Sequence, residues 1–467
     1  MKKLIVLIAI FTFLNNVNAQ NRSIQFETKT WVEILQKAKI ENKIIFLDAY
    51  TSWCSPCKWM SNVVFTSDTV ADFYNQNFVC AKIDMEKGEG VDLAKKYNVS
   101  SYPSFLFINS DGVILNKSIG GRPATEFIKL GKESLNTEEQ IPSYVNRFNA
   151  GDLSLAFIKK YLEKLYRAEM ETSEILDKYT KSIPQIDLIK RENWTLLNTY
   201  LTNCDSDELK YVISNYSKFI EIYTKDSVDN FIEGVYLTDI YKSVYIKEIN
   251  EVLFNETKIK IQNSAYVNTD YLLLYADFEF NYKKNNGEKC LSIANEMLDK
   301  KYLNNKIALF EGVINTIYQK IDDKTKIENF KKKVIESGIE GGEKFCLLGE
   351  LDLFASKSDW ANYFITAELL ITKYFSTDNN FMNTVAWTCF EKIDDKNNLE
   401  KALSWSKKSN EQEEIPAFID TYANLLYKLG KKEEAIIQST KALELTRKAN
   451  GDVESYEETL NKMKAGK

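Results

Sequence analysis

The run from Lys43 to Tyr50 (KIIFLDAY) is the tightest constraint in the chain. An almost unbroken apolar segment of strand length is stable only when both of its faces are covered. It therefore predicts a central strand in a sheet with helices on either side. It leads directly into Thr51-Ser52-Trp53-Cys54-Ser55-Pro56-Cys57-Lys58, where Pro56 suits the first turn of a helix. A buried strand running into a helix start puts Cys54 at that helix's N-terminus and Cys57 one turn on. Asp48 interrupts the run. It shares a strand face with Ile44 and Phe46, where an unpaired carboxylate is costly to bury.

The flanking segments build an α/β unit around this strand. Thr30-Trp31-Val32-Glu33 reads as a capping box, with Trp31, Ile34, Leu35 and Ala38 on one helical face. Ser67 or Asp68 can cap a helix carrying Val70 and Phe73. Phe78 to Asp84 (FVCAKID) reads as a second buried strand and Val91 to Tyr97 as a helix. Ser104 to Ile108 and Val113 to Lys117 form a hairpin through Asn109-Ser110-Asp111-Gly112, and Pro123 opens a last helix. The predicted order is αβααβαββα over residues 20–140, with a central mixed sheet and flanking helices.

From residue 141 to 467 the texture changes, and an all-α helical-repeat region is expected. Only Pro142, Pro184 and Pro416 remain, and apolar residues fall at helical spacing in Leu153 to Tyr166, Tyr271 to Tyr282 and Asp359 to Tyr374. Asn285-Asn286-Gly287 and the Asp394 to Asn398 run read as breaks. Near residues 380–446, and most clearly in AFIDTYANLLYKLGKKEEAIIQSTKALEL, Ala423, Gly430, Ala435 and Ala442 occupy small-residue positions. This stretch resembles a tetratricopeptide hairpin, where two helices cross closely. The proline expected at the repeat's end is missing, and an irregular helical bundle is the alternative.

Composition removes several classes of chemistry. Net charge is −6 with no basic stripe, which argues against nucleic acid. Histidine is absent, which excludes Cys-His and Ser-His nucleophile pairs and zinc sets containing imidazole. A general base here is a carboxylate, lysine, tyrosine or thiolate. Residues 1–19, with Lys2, Lys3, an apolar core from Leu4 to Leu14 and Val17-Asn18-Ala19 before Gln20, read as a secretory signal peptide with no lipid-anchor cysteine after it. A periplasmic or secreted protein is expected. Of seven cysteines only Cys54 and Cys57 lie close together. The other five are expected as buried small hydrophobes.

The motif resembles the thioredoxin superfamily, within it most nearly the periplasmic thiol-disulfide interchange domains, over about Ser23 to Ser134. Asp48 late in the central strand, Trp53-Cys54-x-x-Cys57-Lys58, Lys82 in the next strand and Tyr102-Pro103 before the hairpin carry the likeness together. A thiol at a helix start faces unpaired N–H groups and the positive end of the dipole. Lowering its pKa from about 8.5 to about 7 favours the thiolate by about 2 kcal/mol. On this reading Cys54 attacks a protein disulfide and Cys57 resolves the mixed disulfide; a permanent bridge is the alternative. Asp48, paired with Lys82, would take the Cys57 proton through water, unless it sits at a frayed strand end. The resemblance makes Pro103 a cis-proline facing the pair; the alternative is a trans, strand-initiating proline. Trp53 and Tyr102 would rim the reactive sulfur for substrate binding.

No cofactor and no metal are expected, although two thiolates leave copper handling open. With no histidine between the cysteines, the direction is expected to be reductase or interchange. That requires an electron donor, unnamed by the sequence, for which a membrane-bound protein is the natural source. The helical region would hold a protein partner. A scaffold that uses the fold only structurally is the competing function.

Overall fold

The computed structural model describes residues 22–246, 248–304, 306–411, 414–448 and 451–466. The expected signal peptide lies outside them. The chain divides into two compact units, Met1–Val235 and Tyr236–Lys467.

In the first unit the predicted order is observed. Helix α1 (Trp31–Glu41) buries Trp31, Ile34 and Ala38, and the Glu33 carboxylate accepts from the Thr30 N–H at 2.9 Å, closing its N-terminus. Strand β1 (Ile44–Tyr50) lies between β2 (Phe78–Asp84) and β3 (Ser104–Ile108), and β4 (Ile114–Ile119) completes the order β2-β1-β3-β4. The β1–β2 pair is parallel and the other two pairs are antiparallel, so the sheet is mixed. β4 begins one residue and ends two residues later than the sequence pattern places it. The hairpin register shifts between Phe107 and Ile108, which displaces the pairing.

Both faces of β1 are covered, as its composition requires. Ile45, Leu47 and Ala49 meet Trp31, Ile34, Ala38, Leu93 and Tyr97. Phe46, on the other face, meets Met60, Phe65, Tyr74, Phe105 and Phe127. Phe46 lies 4.8 Å from Tyr74 and 5.5 Å from Phe127, both edge-on. Each fully buried ring of this kind contributes about 1.5–3 kcal/mol, so this second layer fixes β1 firmly beneath the cysteine motif.

Helix α2 (Ser55–Trp59) follows β1 and runs on into a π-helical segment, Met60–Val64. Helix α3 (Asp68–Asn77), helix α4 (Gly90–Lys96) and helix α5 (Ala124–Leu135) flank the sheet. Helix α6 (Ile141–Asn149) and helix α7 (Leu155–Arg167) then pack against β4. This covers an edge that would otherwise offer free backbone groups.

Among the described residues every regular element after Leu135 is helical. The polar breaks are helix starts: the Asn286 and Asp395 side chains accept from the N–H groups of Lys289 and Asn398. In the second unit, helices Pro416–Lys428 and Lys432–Lys448 pack on one another, with Ala423, Ala435 and Ala442 wholly buried. Gly430 takes φ +82° in the turn between them. Helices Asn379–Lys392 and Lys396–Ser409 repeat the arrangement with Ala386 and Ala402 buried. Among the described residues no helix is long and apolar enough to cross a membrane.

Candidate active site

The end of β1 and the start of α2 bring the cysteines together. Cys54 is the N-cap of α2, its sulfur accepts from the Cys57 N–H at 3.1 Å, and the two sulfurs form a disulfide with Cα atoms 5.3 Å apart. Pro56 stands in the first turn, where its missing N–H leaves no hydrogen bond unmade. Both cysteines are buried, Cys57 at 2% and Cys54 at 3% exposed.

Parallel pairing of the strand that leads into the cysteine motif with β2 places Asp48 opposite Lys82. Asp48 is buried within β1 and does not sit at a frayed end; its Oδ2 accepts from Lys82 Nζ at 2.7 Å, while Oδ1 makes no hydrogen bond among the described residues. Burial pushes the Asp48 carboxyl above its ordinary value, with Lys82 acting in the opposite direction. The ammonium is boxed by aromatic faces, 4.5 Å over the Tyr50 ring and 5.3 Å over Phe65.

The Tyr102–Pro103 peptide bond is cis, and the Pro103 carbonyl accepts from the Gly120 N–H at 2.9 Å. The Tyr102 ring stands 6.1 Å from that of Trp53, nearly perpendicular. Trp53 is 64% exposed, so it forms a solvent-facing wall beside the disulfide.

The sequence model named Thioredoxin matches residues 22–133. Thioredoxin H1 of Arabidopsis thaliana is 31% identical over 94 residues, covering 20% of this chain and 76% of the relative. The chain belongs to the thioredoxin family. Thioredoxin-1 of Drosophila melanogaster is 38% identical over 71 residues, 15% of this chain; the chain spans 62% of that relative's length. A solution structure of a candidate disulphide-isomerase from Bacteroides thetaiotaomicron is 46% identical, covering 26% of this chain and 99% of that one, with a TM-score of 0.24.

Two residues of this thioredoxin-family site were not singled out from the sequence. Ser61 donates to the Cys57 carbonyl at 3.0 Å and accepts from Lys82 Nζ at 2.6 Å. Its position four residues after Cys57, one helical turn, was the available signal. Glu86 accepts from the Trp53 indole N–H at 2.9 Å and so fixes the exposed ring. Only the sheet register brings it there, two residues past the end of β2. Cys80, Cys204, Cys290, Cys346 and Cys389 are all buried, as expected. Cys80 packs among Phe46, Phe78 and Phe107.

Proposed function

We propose that this chain is an extracytoplasmic thiol-disulfide oxidoreductase working as a reductase or interchange protein. The observation that carries the reading is a disulfide closed between the cap residue of a helix and the cysteine one turn on, joined through Ser61 to a lysine that pairs a buried acid. In the reduced chain Cys54 is the attacking thiolate, stabilised by the Cys57 N–H and the helix start. Its sulfur bonds to one sulfur of a protein disulfide, and the other substrate sulfur leaves as a thiolate that takes a proton from water. Cys57 then gives its proton through water to Asp48 and attacks the Cys54 sulfur. The Cys54–Cys57 bond forms, the second substrate thiolate departs, and two electrons have passed to the substrate. A dithiol donor, membrane-bound on this reading, restores the reduced pair.

Trp53 and Tyr102 rim the pair for an apolar stretch of substrate, and Pro103 offers backbone to an extended segment. The helical region, on this reading, serves to hold a protein partner. The N-terminal signal pattern supports export.

The test is reduction of insulin disulfides by the full chain. Wild type should turn over, and Cys54→Ser and Cys57→Ser should both fall to background, with Cys57→Ser trapping a substrate through Cys54. An inactive wild type whose helical region still binds a partner in both mutants would overturn the reading in favour of a scaffold.

A further inference from the structure

Ser61 stands in the π-helical segment, where the helix widens and the Phe65 N–H reaches back to the Met60 carbonyl at 2.9 Å. A helical serine bonding the carbonyl four residues back is common and needs no function. Here the same oxygen also receives an ammonium from another element. Lys82, on β2, is held at 2.7 Å by Asp48 of β1 and at 2.6 Å by Ser61 of the cysteine-bearing helix. We infer that Ser61 is a positioning residue: it ties the Lys82 ammonium to the helix that carries both sulfurs and thereby holds it against Asp48. The inference rests on the oxidoreductase reading, in which that pair serves Cys57.

A lysine head on four rotatable bonds, 23% exposed at its side chain, has other places to go. One acceptor leaves it free to swing towards water; acceptors on two separate elements brace it. The hydroxyl accepts from a cation while donating to a carbonyl, and such bonds in series polarise each other. Other charges do not substitute for the brace. Among the described residues Lys82 is the charge that acts on Asp48, and the carboxylates flanking β2 are tied elsewhere, Glu27 to Lys37 at 2.5 Å and Asp84 to Lys87 at 2.8 Å. Tyr50 and Phe65 contribute ring faces only.

The test compares Ser61→Ala and Ser61→Thr in the full-length protein. The first readout is the titration of the isotope-labelled Asp48 carboxyl in the oxidised state, which needs no turnover. In Ser61→Ala its midpoint should rise by about one pH unit, a tenfold change in the equilibrium, and Ser61→Thr, which keeps the hydroxyl, should return it towards wild type. The second readout is insulin reduction. In Ser61→Ala its acid limb should move upward with the carboxyl, and kcat at neutral pH should fall about three- to tenfold at unchanged KM. An Asp48 titration that Ser61→Ala leaves in place, or that Ser61→Thr shifts equally, overturns the positioning role. Absence of insulin reduction in wild type strikes at the oxidoreductase reading instead, and the carboxyl titration still decides whether Ser61 braces Lys82.

Discussion

Removing the Lys82 ammonium while leaving Asp48 in place should destabilise the first unit in a pH-dependent way. Lys82→Met keeps much of the stem beside Tyr50 and Phe65 and deletes only the charge. Asp48 is 1% exposed and, among the described residues, would lose the sole partner of a carboxylate whose other oxygen has none. Breaking a buried pair in this way costs about 3–5 kcal/mol; partial exposure of Lys82 places the expected loss at the lower end, about 3 kcal/mol near neutral pH. The sign follows from protons bound. Burial raises the folded Asp48 carboxyl above its unfolded value, so between the two the folded chain holds a proton that the unfolded chain has lost. Stability therefore falls as pH rises through that window, by about 1.4 kcal/mol per unit. Losing Lys82 lifts the folded value further and extends the window upward. On the acid side of that window the carboxyl is protonated in both proteins and their difference should shrink; on its alkaline side the difference should be largest. Amide-exchange protection across Ile44–Tyr50, corrected for the intrinsic pH dependence of exchange, reads this strand without requiring the whole chain to unfold in one step. An equal loss of protection on both sides of the window would refute the assignment of the cost to a buried charged carboxylate.

Other perturbations have equally direct outcomes. In Gly131→Ala the added Cβ would stand 2.5 Å from a Phe73 ring carbon and 3.1 Å from the Tyr74 hydroxyl; overpacking between α5 and α3 should cost about 1–3 kcal/mol, seen as lost exchange protection in both helices. Trp53→Ala removes an exposed ring held by Glu86, and should raise KM for insulin about tenfold with kcat little changed; a fall in kcat at constant KM would show that the ring acts on the chemical step.

How much of this was legible beforehand depends on whether the signal was local. The β1 run, the Thr30–Glu33 cap and Pro56 each describe their own backbone, and the order αβααβαββα follows from such patterns. Asp48 was conspicuous because an acid inside an apolar strand demands a partner, and Lys82 lies directly across from it in the register. Ser61 was silent, because serine in a helix is ordinary until strand pairing delivers an ammonium to it. Glu86 was silent for the same reason: a surface acid acquires meaning only when the fold turns an indole N–H towards it. In the second unit the Asn and Asp runs were visible as interruptions; that several begin the next helix depends on which carboxylate or amide turns back onto the backbone.

The five cysteines outside the disulfide set the electron capacity of the molecule. Burial pushes the thiols of Cys80, Cys346 and Cys389 up to about 12 and that of Cys290 up to about 11, and Cys204 is buried as well. Thiols held protonated and away from solvent neither attack a bond nor are easily attacked. The Cys54–Cys57 pair has no rival inside its own chain with which to scramble. On the oxidoreductase reading proposed above, each molecule would then carry one electron pair, emptied by a single event and refilled only from outside.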